Sequence, residues 1–227
     1  MSELDLEEQY KVISGYYERV ILGYVRNDIV SLLNPELDQK QIGGCSVPLA
    51  MSVLSTMNQL GCLTSNKTVK EKRTEYYTRK FCSDYMSKID KLYAKETFQK
   101  FLVHFYRHAM AHQFMPKHLV GITRDQKQNN LLEFGSGEIY CSIQVKILAE
   151  TLIEAIDLVY EKLNRAIEND HEFIRRFYRH LIDQIEEHKD KNAELKNSVD
   201  DVLKTNEKEL SDFTTTTVSG TDTSVTA

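Results

Sequence analysis

Apolar residues at Leu6, Tyr10, Ile13, Tyr17, Ile21, Tyr24 and Val25 recur at the spacing of one helix face, which predicts a helix from Leu4 to Leu33. Asn34-Pro35 stops it, and PELDQKQIGG reads as a turn-rich connection whose strongest breaker is Gly43-Gly44. The next stretch, CSVPLAMSVLSTMNQLGCL, is apolar nearly all round, as a buried helix is. Ser46 is its expected cap, Pro48 sits in the first turn, and Gly61 is expected to end it. NKTVKEKRTEYYTRKFCSDYMSKIDKLY follows as a basic helical stretch. A further helix is predicted from about Lys95 to Met115, limited by Pro116, which disfavours helical geometry at the residue before it.

The pattern changes over residues 119–143. Short apolar runs in LVGITRD and LLEFGSGEIYCSI, separated by Asn-Asn and Gly-Ser-Gly, predict a small β-hairpin insertion. Helical periodicity then returns. VKILAETLIEAIDLVYEKLN carries a stripe of Leu148, Leu152, Ile156, Val159 and Leu163, and residues 167–187 place Phe173, Phe177, Leu181 and Ile185 on one side. Beyond Lys189 the chain is highly polar, and Thr214 to Ala227 is Ser/Thr-rich. Such a segment cannot bury enough apolar surface to fold alone. The expectation is one all-α helical bundle over 1–188 with the hairpin insertion at 119–143, and a disordered tail over 189–227.

Composition agrees with helices: only three Pro and nine Gly interrupt 227 residues. No apolar run approaches the roughly 18 residues of a membrane span, and MSELDLEEQYK lacks the basic and apolar parts of a secretory leader. A cytoplasmic protein with no membrane partner is expected. Cys45, Cys62, Cys82 and Cys141 form no C-x-x-C pair, so they read as free thiols rather than a zinc or redox motif. Charge is unevenly spread. Residues 67–127 hold fourteen Lys/Arg against six Asp/Glu, while 1–38 and 128–227 are both acidic, within a net charge of −5. A basic middle between acidic flanks suits a phosphate-bearing partner as well as it suits solvated helix faces.

Inside that basic middle lies FYRHAMAHQF, residues 105–114. On the helix 95–115 the core stripe is Phe98, Phe101, Leu102, Phe105 and Ala109, and at about 100° per residue His104, His108 and His112 follow one another on a neighbouring stripe. Arg107 stands about 140° from His112 by the same periodicity. Convergence of the two therefore needs the length of Arg, fraying before Pro116, or a second subunit. Ala109 and Ala111 leave room for another helix to approach closely.

The run Arg107-His108-Ala109-Met110-Ala111-His112 resembles the signature of the HEPN superfamily: Arg, a polar residue, a short spacer, then His, near the end of a late helix in an α-bundle. GGCSVPLAMSVLSTMNQLG and YRHAMAHQFMPK are similar to segments of small bacterial HEPN-like proteins. The resemblance covers about residues 1–185, with the diagnostic part confined to the motif. It implies a HEPN-like antiparallel bundle that forms a homodimer, with no cofactor and no metal. It implies a metal-independent endoribonuclease of toxin, phage-defence or RNA-processing type, with RNA as substrate and a separately encoded antitoxin or regulator as a further partner. His112 would be the acid/base, Arg107 the phosphate clamp and His108 the orienting polar residue.

The residue types suit that chemistry on their own terms. Attack by a 2′-OH on the adjacent phosphate needs a proton removed there and one delivered to the 5′-oxygen. His, with an unperturbed pKa of about 6.5, serves both steps near neutrality. Arg's planar fork matches the charge that develops on the phosphorane. The macrodipole at a helix C-terminus favours the protonated imidazole.

A second FYRH, at Phe177 to His180, is an internal control. Counting from Arg179 puts Gln184 where His112 stands, so this copy lacks a proton-transfer residue. Arg175 and His180 nonetheless satisfy the bare Arg-to-His spacing, which shows that spacing alone is a weak signal. Two other readings stay open. His104, His108 and His112 could offer imidazoles to zinc, although no carboxylate or thiolate stands at matching spacing and Arg107 adds a cation beside them. A non-catalytic module that binds RNA, nucleotide or protein is the other. For RNA contact the segment 68–80 supplies Lys70, Lys72, Arg73, Arg79 and Lys80 for phosphates and Tyr76 or Tyr77 for base stacking, against the plainer reading of each as basic helix surface with Tyr in the core.

Overall fold

The computed structural model describes residues 4–38, 45–68, 73–107, 120–124, 128, 130–134 and 141–187, with backbone alone at 105–107. It is mostly helical, with one small three-stranded sheet. Residues 1–181 gather into one compact unit; of the second, 182–227, residues 182–187 are described and are helical. The polar tail expected over 189–227 lies outside the described residues.

Helix α1 starts at Leu6 because Asp5 and Glu8 form a reciprocal capping box: Glu8 N donates to Asp5 Oδ1 at 2.9 Å and Asp5 N to Glu8 Oε2 at 3.2 Å. The helix runs as Leu6–Tyr16, passes through a π-helical stretch at Tyr17–Arg26, and ends as Asn27–Leu32. The π stretch explains its buried face. At about 100° per residue, Ile29 would stand about 160° away from Ile13. A π turn closes i→i+5 and so rotates less per residue, which keeps Ile13, Tyr17, Ile21 and Ile29 all facing the core at 1% exposure or less.

Helix α2, Ser46–Thr64, buries most of its circumference, as its sequence predicted. Two details differ. Cys45, not Ser46, occupies the N-cap, in the left-handed conformation at φ 56° with no side-chain cap bond, and Ser46 is already helical. Gly61 does not end the helix. It lies within the last turns, where the backbone of helix α3, Arg73–Asp84, crosses against it at Tyr77. The predicted basic helical stretch thus gives α3 followed by two 3₁₀ turns, Met86–Lys88 and Lys91–Ala94.

Helix α4 begins as Glu96–Phe101 and turns π-helical over Leu102–Arg107. Helix α5, Val145–Asn169, carries the expected stripe, with Leu148, Leu152, Ile156, Val159 and Leu163 all buried. Helix α6 covers 171–187 and buries Phe173, Ile174 and Phe177. Tyr17 links three helices: its hydroxyl donates to the Ile156 carbonyl at 2.8 Å, and its ring stacks on Tyr160 and tilts against Phe177.

The predicted hairpin is one strand short of what forms. Strands β2 (Leu132–Phe134) and β3 (Cys141–Gln144) pair antiparallel, but β1 (Val120–Thr123) adds to the other edge of β3 in parallel, in the order β1-β3-β2. β2 lies between β1 and β3 in sequence, within the long connection that a parallel pair requires. β3 leads straight into α5, whose N-cap is Gln144.

One ionic cluster ties sheet to helices. Arg124, directly after β1, places Nε 3.0 Å from Asp38 Oδ1 and donates from Nη1 to the Leu32 carbonyl at 2.7 Å, at the open end of α1. Lys146 Nζ, in the first turn of α5, donates to Asp38 Oδ2 at 2.6 Å. The side chains of Arg124 and Asp38 are only 5% and 3% exposed.

Candidate functional site

The helix that carries the motif departs from the regular periodicity just before it. Leu102 and Val103 point into the core and His104 is exposed, all within the π-helical stretch, and Arg107 is the last residue of that stretch. Because a π turn takes up an extra residue, the 100° phase behind the predicted His104, His108 and His112 stripe does not hold through 102–107. His108 and His112 lie outside the described residues, as do the side chain of Arg107 and Lys70 and Lys72.

The second FYRH has a structural role. Phe177 is fully buried, and His180, 7% exposed, makes a ring-nitrogen hydrogen bond through Nδ1 with the Cys62 carbonyl, tying α6 to α2. Phe177 and His180, three apart, share the inward face of the helix. Arg175 and Arg179 are exposed on the other side.

The basic segment divides in the same way. Tyr77 is 2% exposed, its backbone against Gly61, so its ring is a core group and not a platform for a base. Arg73 is exposed at the start of α3. Tyr76 is half-buried, meets the Tyr77 ring edge-on, and has Lys67 Nζ 5.1 Å from its ring centre. Arg79 bridges two carboxylates, Glu75 at 3.2 Å and Glu96 at 2.8 Å, and Lys80 reaches Asp84 at 2.7 Å. Glu96 also takes Lys100 at 3.0 Å. Its carboxyl is held below the usual range, first by the hydrogen bond and charge of Lys100 and then by those of Arg79.

Between α3 and α4 these side chains border a pocket of about 240 Å³, lined by Tyr76, Arg79, Lys80, Ser83 and Gln99. Three residues proposed from sequence for RNA contact thus share one concavity. Ser83 and Gln99 are additions that sequence reasoning missed. Gln99 is a polar residue in the midst of an aromatic stripe and carries no local signal of its surroundings. Its amide nitrogen donates to Ser83 Oγ and to the Tyr93 carbonyl, both at 2.8 Å, which fixes the amide plane against the pocket wall. The two i,i+4 pairs, Glu75–Arg79 and Lys80–Asp84, were readable from spacing.

Among the described residues, no group of three His, Cys, Asp or Glu side chains converges to hold a metal ion, and no helix is long and apolar enough to cross a membrane. Three of the four cysteines are buried, and burial pushes the Cys82 thiol up to about 12, far from a reactive thiolate; Cys45 is partly exposed. No family model, no curated protein and no solved structure matches this chain.

Proposed function

We propose that the chain is a metal-independent endoribonuclease of HEPN type, a cytoplasmic homodimer that cuts RNA in a toxin, phage-defence or RNA-processing setting under a separately encoded antitoxin or regulator. The observation that carries this reading is the run Arg107-His108-Ala109-Met110-Ala111-His112, which begins where the π-helical stretch Leu102–Arg107 ends. Such π turns recur at functional sites because they re-aim side chains that a regular helix would direct elsewhere. The mostly helical fold and the strong α5 stripe support a bundle of the kind the resemblance implies. The structural role of His180 removes the second FYRH as a rival site.

In the proposed reaction His112 takes the 2′-OH proton and later protonates the 5′-oxygen. Arg107 holds the non-bridging phosphate oxygens, and His108 orients the pair. The bond formed is 2′-O–P and the bond broken is P–O5′, leaving a 2′,3′-cyclic phosphate and a 5′-hydroxyl. Purified protein incubated with total RNA in EDTA tests it: cutting persists in the wild type and disappears in His112→Ala. A second reading, a binding module that holds RNA or nucleotide without cutting it, is favoured by the pocket between α3 and α4. Intact RNA that is nonetheless retained by the folded protein would select it.

A further inference from the structure

We infer that the pocket between α3 and α4 is a subsite for one unpaired nucleotide, with the base against Tyr76 and its 5′-phosphate at Arg79 and Lys80. The inference deepens the RNA reading above and rests on it for the identity of the natural ligand. Four features of the lining carry it. The pocket's volume of about 240 Å³ is below the roughly 300–1,000 Å³ of sites that enclose drug-sized ligands, so it suits one base with the phosphate at its mouth. Tyr76 presents an aromatic ring there, and base–aromatic stacking tolerates any base because each has a π-face.

The polar edge is built to read a base. Gln99 is 4% exposed, and both of its amide hydrogens are engaged, by Ser83 Oγ and the Tyr93 carbonyl. Its carbonyl oxygen remains to accept from an exocyclic amine or ring N–H. Ser83 Oγ accepts from Gln99, so its own O–H is available to donate to a ring nitrogen or carbonyl.

The cationic side can exchange partners. Arg79 Nη2 is held by Glu96, whose side chain is 64% exposed and which already has Lys100 as a second cation at 3.0 Å. An arriving phosphate takes Arg79 Nη2 while Glu96 stays with Lys100; Arg79 Nη1 keeps Glu75, and Lys80 shares its ammonium between Asp84 and the phosphate. Exposed pairs of this kind are weak and salt-screened, and so pose little barrier. Lys67 Nζ lies over the Tyr76 ring, 5.1 Å from its centre, and adds a further positive charge near the pocket.

Isothermal titration of the full-length protein with 5′-AMP, 5′-CMP, 5′-GMP, 5′-UMP and inorganic phosphate tests the inference. At least one nucleotide is expected to bind about tenfold or more tightly than phosphate. Tyr76→Ala is expected to weaken it about tenfold, Ser83→Ala several-fold, and Glu96→Gln to strengthen it. Ser83 and Glu96 are exposed, so those two variants report even where Tyr76→Ala is unstable. Nucleotides that bind no better than phosphate, or equally well to Tyr76→Ala and Ser83→Ala, overturn it. His112→Ala separates the two proposals. Nucleotide binding that persists while wild-type protein leaves RNA intact sinks the ribonuclease and keeps the subsite. RNA cutting without nucleotide binding does the reverse.

Discussion

A Cβ placed on Gly61 would stand 2.0 Å from the carbonyl oxygen of Tyr77 and 2.6 Å from its carbonyl carbon. The obstacle is backbone, so no rotamer change relieves it. Alanine would add helix propensity of about 0.5–1 kcal/mol, but it must push α3 away from α2. Gly61→Ala is expected to destabilise the protein by about 2 kcal/mol net, within the usual overpacking range. In urea unfolding the midpoint falls with little change in slope.

Asp38 pairs with both Arg124 and Lys146, and of the three side chains Arg124 and Asp38 are buried and Lys146 is partly exposed. Asp38→Ala leaves the buried Arg124 guanidinium without this carboxylate and beside the partly exposed Lys146, and the expected loss is about 3–5 kcal/mol. Replacing Arg124 by Met in the same background removes one stranded charge and recovers part of that loss. If the double variant is no more stable than Asp38→Ala, the cluster is not the origin of the effect.

Much of the core was legible because regular helices repeat their pattern locally. The α5 stripe and the inward Phe173, Phe177 and Leu181 follow from spacing, whereas Ile185 on the same stripe and Tyr24 on that of the first helix are exposed. Other features depend on partners distant in sequence. Arg124 lies 86 residues from Asp38, and nothing near either residue marks the other. A glycine that ends a helix and one that admits a neighbouring backbone read alike, so Gly61 was misplaced. Tyr76 and Tyr77 are equivalent in sequence until the crossing of α2 buries one of them. The π stretches were invisible to any argument that assumes about 100° per residue. At the site, Tyr76, Arg79 and Lys80 were found by charge and aromatic interleaving, whereas Ser83 and Gln99 needed the packing of α4 against α3.

Glu96 provides a test by titration. Its carboxyl is exposed yet held below the ordinary range, first by Lys100 and then by Arg79. With a depressed folded-state value, the interaction is present above the unfolded value and is lost as pH falls through the folded one. NMR titration of the Glu96 carboxyl carbon is expected to show the lowered midpoint in wild type. Lys100→Ala raises it more than Arg79→Ala does. An unmoved midpoint in Lys100→Ala contradicts the assignment.

His180 and His112 are expected to separate stability from activity. His180→Ala loses the bond to the Cys62 carbonyl and leaves a cavity between α6 and α2, a cost of about 2 kcal/mol. On the proposed reading, its RNA cutting per folded molecule is expected to be unchanged. His112→Ala is expected to unfold at the wild-type denaturant concentration and to lose the cutting.

On the proposed reading, Arg107, His108 and His112 cut RNA through its own 2′-hydroxyl. Mass spectrometry of the ends left on a defined oligoribonucleotide, incubated with the protein in EDTA, tests it most directly. The expected ends are a 2′,3′-cyclic phosphate and a 5′-hydroxyl, and a single 2′-deoxy substitution at the cut position abolishes cleavage there. Ends bearing a 3′-hydroxyl and a 5′-phosphate, or cleavage that persists in both Arg107→Ala and His112→Ala, would contradict it.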